Sequence, residues 1–170
     1  MTIIRSAVVA DCEAIAALLE EVDRYYGADQ TQSTADRLPL IRDALFGTRP
    51  AAFALVAWSG DTLIGLASYS YLWPAAGVTR SLFLKELYVS ETSRRHGIGR
   101  LLMAELCRMA NASGCDRIEW TADTDNPVAL RFYTTLGVPP SPSKQFYRLD
   151  GDDLLRMANP QSESVDRPSA

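Results

Sequence analysis

The chain has 170 residues, 47 % of them apolar and 22 % charged, with a net charge of −4. That is the balance of a globular chain with enough material for one domain and a proper core. The acidic net charge gives no whole-molecule attraction to nucleic acid or anionic membrane, and no apolar run approaches the roughly 20 residues that span a bilayer. A short strand is expected over residues 2–6. Asp11 stands where a helix cap belongs, ahead of Ile15, Leu18, Leu19, Val22 and Tyr25/Tyr26, whose spacing makes one apolar stripe. Residues 27–37 are polar and turn-like. A second short helix should follow, with Pro39 near its first turn, Ile41 and Leu45 inward and Gly47 as its stop.

The middle of the chain changes character. Ala51–Trp58 and Thr62–Leu72 are strand-like runs joined at Ser59-Gly60-Asp61, a tight hairpin signal. Trp73-Pro74-Ala75-Ala76-Gly77 breaks the second run, and Arg80–Val89 is a third strand, so residues 51–89 read as an antiparallel meander. A helix over about Gly97–Ala112 follows, with Ile98, Leu101, Leu102, Leu106 and Met109 on one face. Asn111-Ala112-Ser113-Gly114 ends it, and residues 116–122 form a further strand. Strand, helix, strand in that order predicts a parallel right-handed crossover that pairs residues 82–89 with 116–122. Asn126 and Pro127 are the cap and first residue of another helix, which Gly137 closes. Residues 144–149 read as a last strand. The expected division is one domain over residues 1–156 and an unstructured Ser/Pro/Asp/Glu-rich tail over 157–170.

Three cysteines, Cys12, Cys107 and Cys115, are odd in number and widely spaced, so they suggest buried apolar side chains and no disulfide framework. With His96 as the single histidine, no metal site is expected. The amino terminus, MTIIRSAVVADC, lacks the apolar core of a secretory signal, and a cytoplasmic location is the expectation.

The most informative stretch joins strand to helix: Leu87-Tyr88-Val89, then Arg94-Arg95-His96-Gly97-Ile98-Gly99-Arg100. A helix start carries unpaired N–H groups and a partial positive charge, glycines admit a ligand close to the backbone, and arginines add full charge. The stretch is a seat for a pyrophosphate. A P-loop needs Lys-Ser/Thr after the last glycine, where Arg100-Leu101 stands. A dinucleotide fingerprint needs a third glycine where Leu102 sits. Coenzyme A remains.

Here the residues resemble the GNAT superfamily of acyl-CoA N-acyltransferases, whose signature is Gln/Arg-x-x-Gly-x-Gly/Ala at a strand-to-helix junction, met by Arg94, Gly97 and Gly99. Asn126-Pro127-Val128-Ala129-Leu130-Arg131-Phe132-Tyr133-Thr134-Thr135-Leu136-Gly137 is similar to the family's late helix. The two motifs cover about residues 51–149. The resemblance implies a mixed α/β fold: a central sheet with antiparallel and parallel strands, flanked by helices, its parallel strands splayed at the acyl-CoA site. It implies that backbone at Leu87, Tyr88 and Val89 meets the acyl carbonyl and pantetheine, and that Arg94, Arg95, His96, Gly97, Ile98, Gly99 and Arg100 cradle the diphosphate, mainly through amides. Asn126 would touch the pantetheine, and Tyr133 would sit near the coenzyme sulfur.

The implied activity is transfer of an acetyl group from acetyl-CoA to a primary amine of a small molecule or peptide, by direct attack in a ternary complex. A phenol such as Tyr133 can protonate the departing thiolate, and a carboxylate must take a proton from the alkyl ammonium. Glu86, Glu119 and Asp123 are candidates for that base, with Glu86 first. Residues 84–89, Leu-Lys-Glu-Leu-Tyr-Val, are similar to the spermidine/spermine N-acetyltransferase branch, which has Leu-Glu-Asp-Leu/Ile-Tyr-Val there. Lys85 replaces an acid that helps receive the polycation. Tyr25, Tyr26, Tyr69, Tyr71 and Trp73 could line an amine site through cation–π contacts, or serve as packing. The family often dimerises through its late strands, and monomer and homodimer both stay open. From another class, a non-catalytic acyl-CoA-binding or sensor module would keep the glycine turn without the chemistry.

Overall fold

The computed structural model describes residues 1–28 and 32–159. The β-rich runs read from the sequence form one sheet in the order β1-β2-β3-β4-β5: β1 (Thr2–Ser6), β2 (Phe53–Ser59), β3 (Thr62–Leu72), β4 (Arg80–Val89) and β5 (Cys115–Trp120). The first four run antiparallel to their neighbours and β5 runs parallel to β4. The helices are α1 (Cys12–Tyr25), α2 (Thr34–Phe46), α3 (Ile98–Ala112), α4 (Pro127–Thr135) and α5 (Gly151–Ala158). This is the mixed α/β sheet that the resemblance implied.

Two compact units make up the chain, Met1–Phe132 with all five strands and Tyr133–Ala170 with the end of α4 and α5. In the first unit, one sheet face packs Ala54, Val56, Leu66 and Tyr88 against Cys12, Ile15, Ala16, Leu18 and Val22 of α1, with Ile41 of α2. From the other side α3 covers the sheet, and Leu102 lies so close over Gly65 of β3 that a Cβ there would meet its Cδ1 at 3.2 Å.

Several expectations need correction. On α3 the buried row advances by four, Ile98, Leu102, Leu106 and Ala110, with Met103 beside it. Leu101 falls off that row and is 49 % exposed. Asp11 sits at the cap position of α1, but its carboxylate turns back to form a two-pronged ion pair with Arg5, at 2.6 and 2.7 Å, and accepts the Val8 amide at 2.8 Å. A buried carboxylate gains more from a guanidinium fork and an amide than from one helix N–H. Helix α2 begins at Thr34, inside the stretch read as a turn, because the Ser33 hydroxyl accepts the Asp36 amide. Pro39 therefore lies within the helix rather than in its first turn. The loop residues 29–31 and the tail from 160 onward lie outside the described residues.

Residues 144–149 form no strand; they are exposed and without regular structure. The helix α5 that follows, entered through Asp150 with Asp152 and Asp153 in its first turn, was not anticipated and reaches Ala158. Acidic residues favour that end of a helix. No helix among the described residues is long and apolar enough to cross a membrane.

Candidate active site

The site starts with a bulge. Ser68 pairs with Glu86 but Tyr69 pairs with Leu84, so Lys85 is an extra residue in β4. An inserted residue bends a strand and breaks its ladder. On the opposite edge, β5 accompanies β4 only as far as the Leu84–Trp120 pair. The predicted pairing of residues 82–89 with 116–122 thus stops halfway, and among the described residues no strand lies beside Lys85–Val89 on that side.

The alternation along β4 follows from one bond. Ser90 donates its amide to the Ile64 carbonyl at 3.0 Å. With Leu66 opposite Tyr88 and Gly65 opposite Val89, Tyr88 turns its backbone groups to β3, while Leu87 and Val89 turn theirs into the gap left by β5. The Val89 carbonyl there accepts Arg94 Nε at 3.0 Å.

Beyond β4 the chain makes a 3-10 turn over Glu91–Ser93 and then the glycine loop. Arg95 has φ 66° and Gly97, the cap of α3, φ 79°. The helix's own bonding begins with Leu101 N–H to the Gly97 carbonyl at 3.0 Å, so first-turn amides point forward without an intrahelical acceptor. The two glycines serve different ends. Gly97 supplies the left-handed backbone, with open space around its Cα; Gly99 admits Phe132, whose ring carbons would lie 3.2 Å from a Cβ. His96 Nδ1 lies 3.4 Å from the Ser93 carbonyl, a loop contact.

Beside the loop, Arg94 places its guanidinium 4.7 Å from the ring centre of Tyr25 and 5.3 Å from that of Tyr88. Tyr25 meets Tyr26 edge-on at 5.2 Å. The Tyr88 hydroxyl donates to Glu21 Oε1 at 3.1 Å, and the same oxygen accepts the Glu91 amide at 2.9 Å. Burial and the Glu21 carboxylate push the Tyr88 phenol up to about 12. Sequence reasoning missed Glu21, although an acid four residues before Tyr25 lies on the same side of α1 as the aromatic pair.

Glu86 stands at the gap. Burial raises its carboxyl above the ordinary value; Lys85 and the Leu87 amide oppose the rise and Asp123 adds to it. Burial, then Glu86 and Asp123, raise the Tyr26 phenol as well. Asp123 thus bears on both Glu86 and Tyr26. Glu119 is different: it accepts the buried Ser81 hydroxyl at 2.8 Å and pairs with Arg117 at 3.2 Å, so it is committed elsewhere.

The five aromatics do not form one wall. At the other end of β3, Tyr69 stacks with Phe53 and Tyr71 meets it edge-on, and their hydroxyls reach Met109 Sδ at 3.9 Å and Ser113 Oγ at 2.9 Å. Trp73 is 71 % exposed and bonds the Val78 carbonyl. Cys12 is buried as expected, but Cys107 is exposed on α3. Asn126 caps α4 as the sequence implied, its Oδ1 accepting the Ala129 amide at 3.0 Å. In the second unit, Tyr133 lies in the last turn of α4, and its carbonyl accepts the Leu136 amide as the helix closes at Gly137, φ 75°.

A splayed parallel pair of strands leading into an amide-lined arginine turn defines an acyl-transferring enzyme. Residues 15–138 match the Acetyltransferase (GNAT) family, and the chain belongs to it. Over 91 % of its length it is 26 % identical to the human spermidine/spermine N(1)-acetyltransferase-like protein 1, of which it spans only 23 %. It is 23 % identical to the pig thialysine N-epsilon-acetyltransferase, covering 92 % of this chain and 96 % of that one. Among solved structures, the integron cassette protein VCH_CASS6 from the mobile metagenome of V. cholerae superposes with a TM-score of 0.87 at 29 % identity, over 93 % of this chain and 98 % of that one.

Proposed function

We propose that the chain moves an acetyl group from acetyl-CoA to the primary amine of a small molecule or peptide by direct attack in a ternary complex. The observation that carries this reading is the gap at Lys85–Val89, where Leu87 and Val89 turn backbone groups away from β3 at the entrance to the Gly97 turn. An extended amide-bearing chain fits such an edge as an added strand does. A diphosphate fits the turn, which offers first-turn amides, a helix N-terminus and the charges of Arg95 and Arg100.

In the reaction, Glu86 takes a proton from the substrate ammonium, and its burial brings it closer to the pKa that this work needs. The freed nitrogen bonds to the acetyl carbon, the carbon–sulfur bond breaks, the thiolate receives the Tyr133 proton, and the second proton that the nitrogen must shed returns through water to the Tyr133 phenolate. The donor role of Tyr133 rests on its place in the Asn-x-x-Ala-x-x-Phe-Tyr pattern. No cysteine is asked to carry the acyl group.

The relatives' names speak of polyamines and of thialysine, an amine on an amino acid. Lys85 repels an extended polycation, so the reading favours an acceptor with one amine over a polyamine. The test is a panel of such amines with acetyl-CoA, monitored by free thiol release, together with Tyr133→Phe. The expected variant binds coenzyme A normally and loses rate. A folded wild-type protein that gives no calorimetric heat with coenzyme A sinks the transferase reading. One that binds it but releases thiol with no amine is a sensor instead.

A further inference from the structure

We infer that Arg94 is a positioning residue which links the cofactor turn to the acceptor side, and that its guanidinium is not a diphosphate ligand. The inference rests on the acyl-carrier reading above and deepens it.

The geometry of the side chain carries the case. One edge of the guanidinium is fixed by the Val89 carbonyl at 3.0 Å, on the gap side of β4. Two rings that meet edge-on at 5.9 Å flank it on one side, Tyr25 at 4.7 Å and Tyr88 at 5.3 Å. A guanidinium held this way is directed along the strand toward α1, and a planar fork resists reorientation.

What Arg94 holds is the end of α1. The buried stripe of that helix stops at Val22, and Tyr25 and Tyr26 are 40 % and 55 % exposed. Tyr26 packs edge-on against Tyr25, and Tyr25 in turn meets Tyr88 and Arg94. Tyr26 in turn shares the electrostatic surroundings of Glu86 and Asp123. Glu21 closes the circuit, since one carboxylate oxygen holds both the Tyr88 hydroxyl and the Glu91 amide at the head of the loop. Fixing the loop with a ligand therefore fixes Arg94, Tyr25 and the Tyr26 wall beside the proposed base. Occupying the cofactor turn prepares the acceptor site.

Amide hydrogen exchange with coenzyme A as the probe reads this without knowing the amine. In the wild-type protein, coenzyme A is expected to slow exchange both at the α3 start (residues 97–102) and at the end of α1 (residues 20–28). In Arg94→Gln the response at α3 is retained, with coenzyme A affinity within about threefold of wild type, while the response at α1 is lost. Two ring contacts removed together correspond to about a tenfold change in the opening equilibrium they bias. Tyr25→Leu, which leaves the loop intact, is expected to behave the same way and carries the test if Arg94→Gln fails to fold. An affinity loss well beyond tenfold in Arg94→Gln with the α3 response gone makes Arg94 a diphosphate ligand and overturns the inference. An α1 response that persists in either variant, or is missing in wild type while α3 responds, overturns it too. No response at either segment in wild type removes the carrier reading itself.

Discussion

The two ends of β4 share a strand, a neighbour in β3 and a covering helix in α3, yet they are built to opposite purposes. At Arg80–Leu84 the groups are answered from within: β5 lies alongside, Ser81 bonds Glu119, Phe53 stacks on Tyr69 with Tyr71 edge-on to both, and the two tyrosine hydroxyls reach Met109 and Ser113. At Lys85–Val89 the bulge has reset the register, β5 has left, and a carboxyl with a raised pKa stands beside backbone edges that face a gap. The difference is that one end satisfies its polar groups by folding, while the other turns the backbone of Leu87 and Val89 into a gap.

Substitutions test whether the ends are separable. The largest effect is expected for Glu86→Gln: a loss in kcat/KM of about 10²- to 10⁴-fold with an unchanged melting temperature. Because burial raises the Glu86 carboxyl, the acidic limb of the wild-type pH–rate profile should lie above the ordinary carboxylate range, and it should vanish in the variant. At the closed end, Tyr69→Ala removes a buried ring and should cost about 3–5 kcal/mol in urea unfolding. Coenzyme A affinity of the protein that stays folded should not change; a matching affinity loss would show that the ends are coupled.

Away from both ends, Arg5 holds the Asp11 carboxyl below its ordinary 3.8, chiefly through the side-chain hydrogen bonds and against the cost of burial. A depressed carboxylate stabilises the fold fully above the unfolded value, and that contribution is lost as pH falls through the folded value. Acid titration of stability should show this slope in wild type and lack it in Asp11→Asn. Smallest of all is Leu87→Ile. The proposed role of Leu87 is its backbone, so stability should change by less than about 1.5 kcal/mol and turnover should be nearly untouched.

Much of the frame was legible because its signals are local. Alternating β-branched and aromatic runs bounded by Ser59-Gly60-Asp61 and Trp73-Pro74 locate β2, β3 and β4, and Asn126-Pro127 opens α4 as read. The glycine turn was visible because glycine suits both the left-handed cap at 97 and the close approach of the Phe132 ring at 99. What escaped were relations between distant residues. A single inserted residue at Lys85 leaves no mark in composition, yet it decides where β4 and β5 part. Tyr69 and Tyr26 look alike as residues, but one lies on β3 against Phe53 and the other just past the end of α1. Arg94 reads from the sequence as the first position of the diphosphate signature, and its contact with the Tyr25 and Tyr88 rings is hidden there because they lie on an element 69 positions earlier and on the strand behind it. Residues 144–149 have strand-forming side chains but are exposed and without regular structure.

The contact of Phe132 with Gly99 has an evolutionary corollary. A methyl group at 99 would press on the ring at 3.2 Å, tight enough to demand a shift of a few tenths of an ångström. Side-chain bulk at these two positions must therefore trade off from one lineage to the next. Chains with alanine at the first should carry a smaller or tilted residue at the second, so a sequence alignment should show the pair varying together.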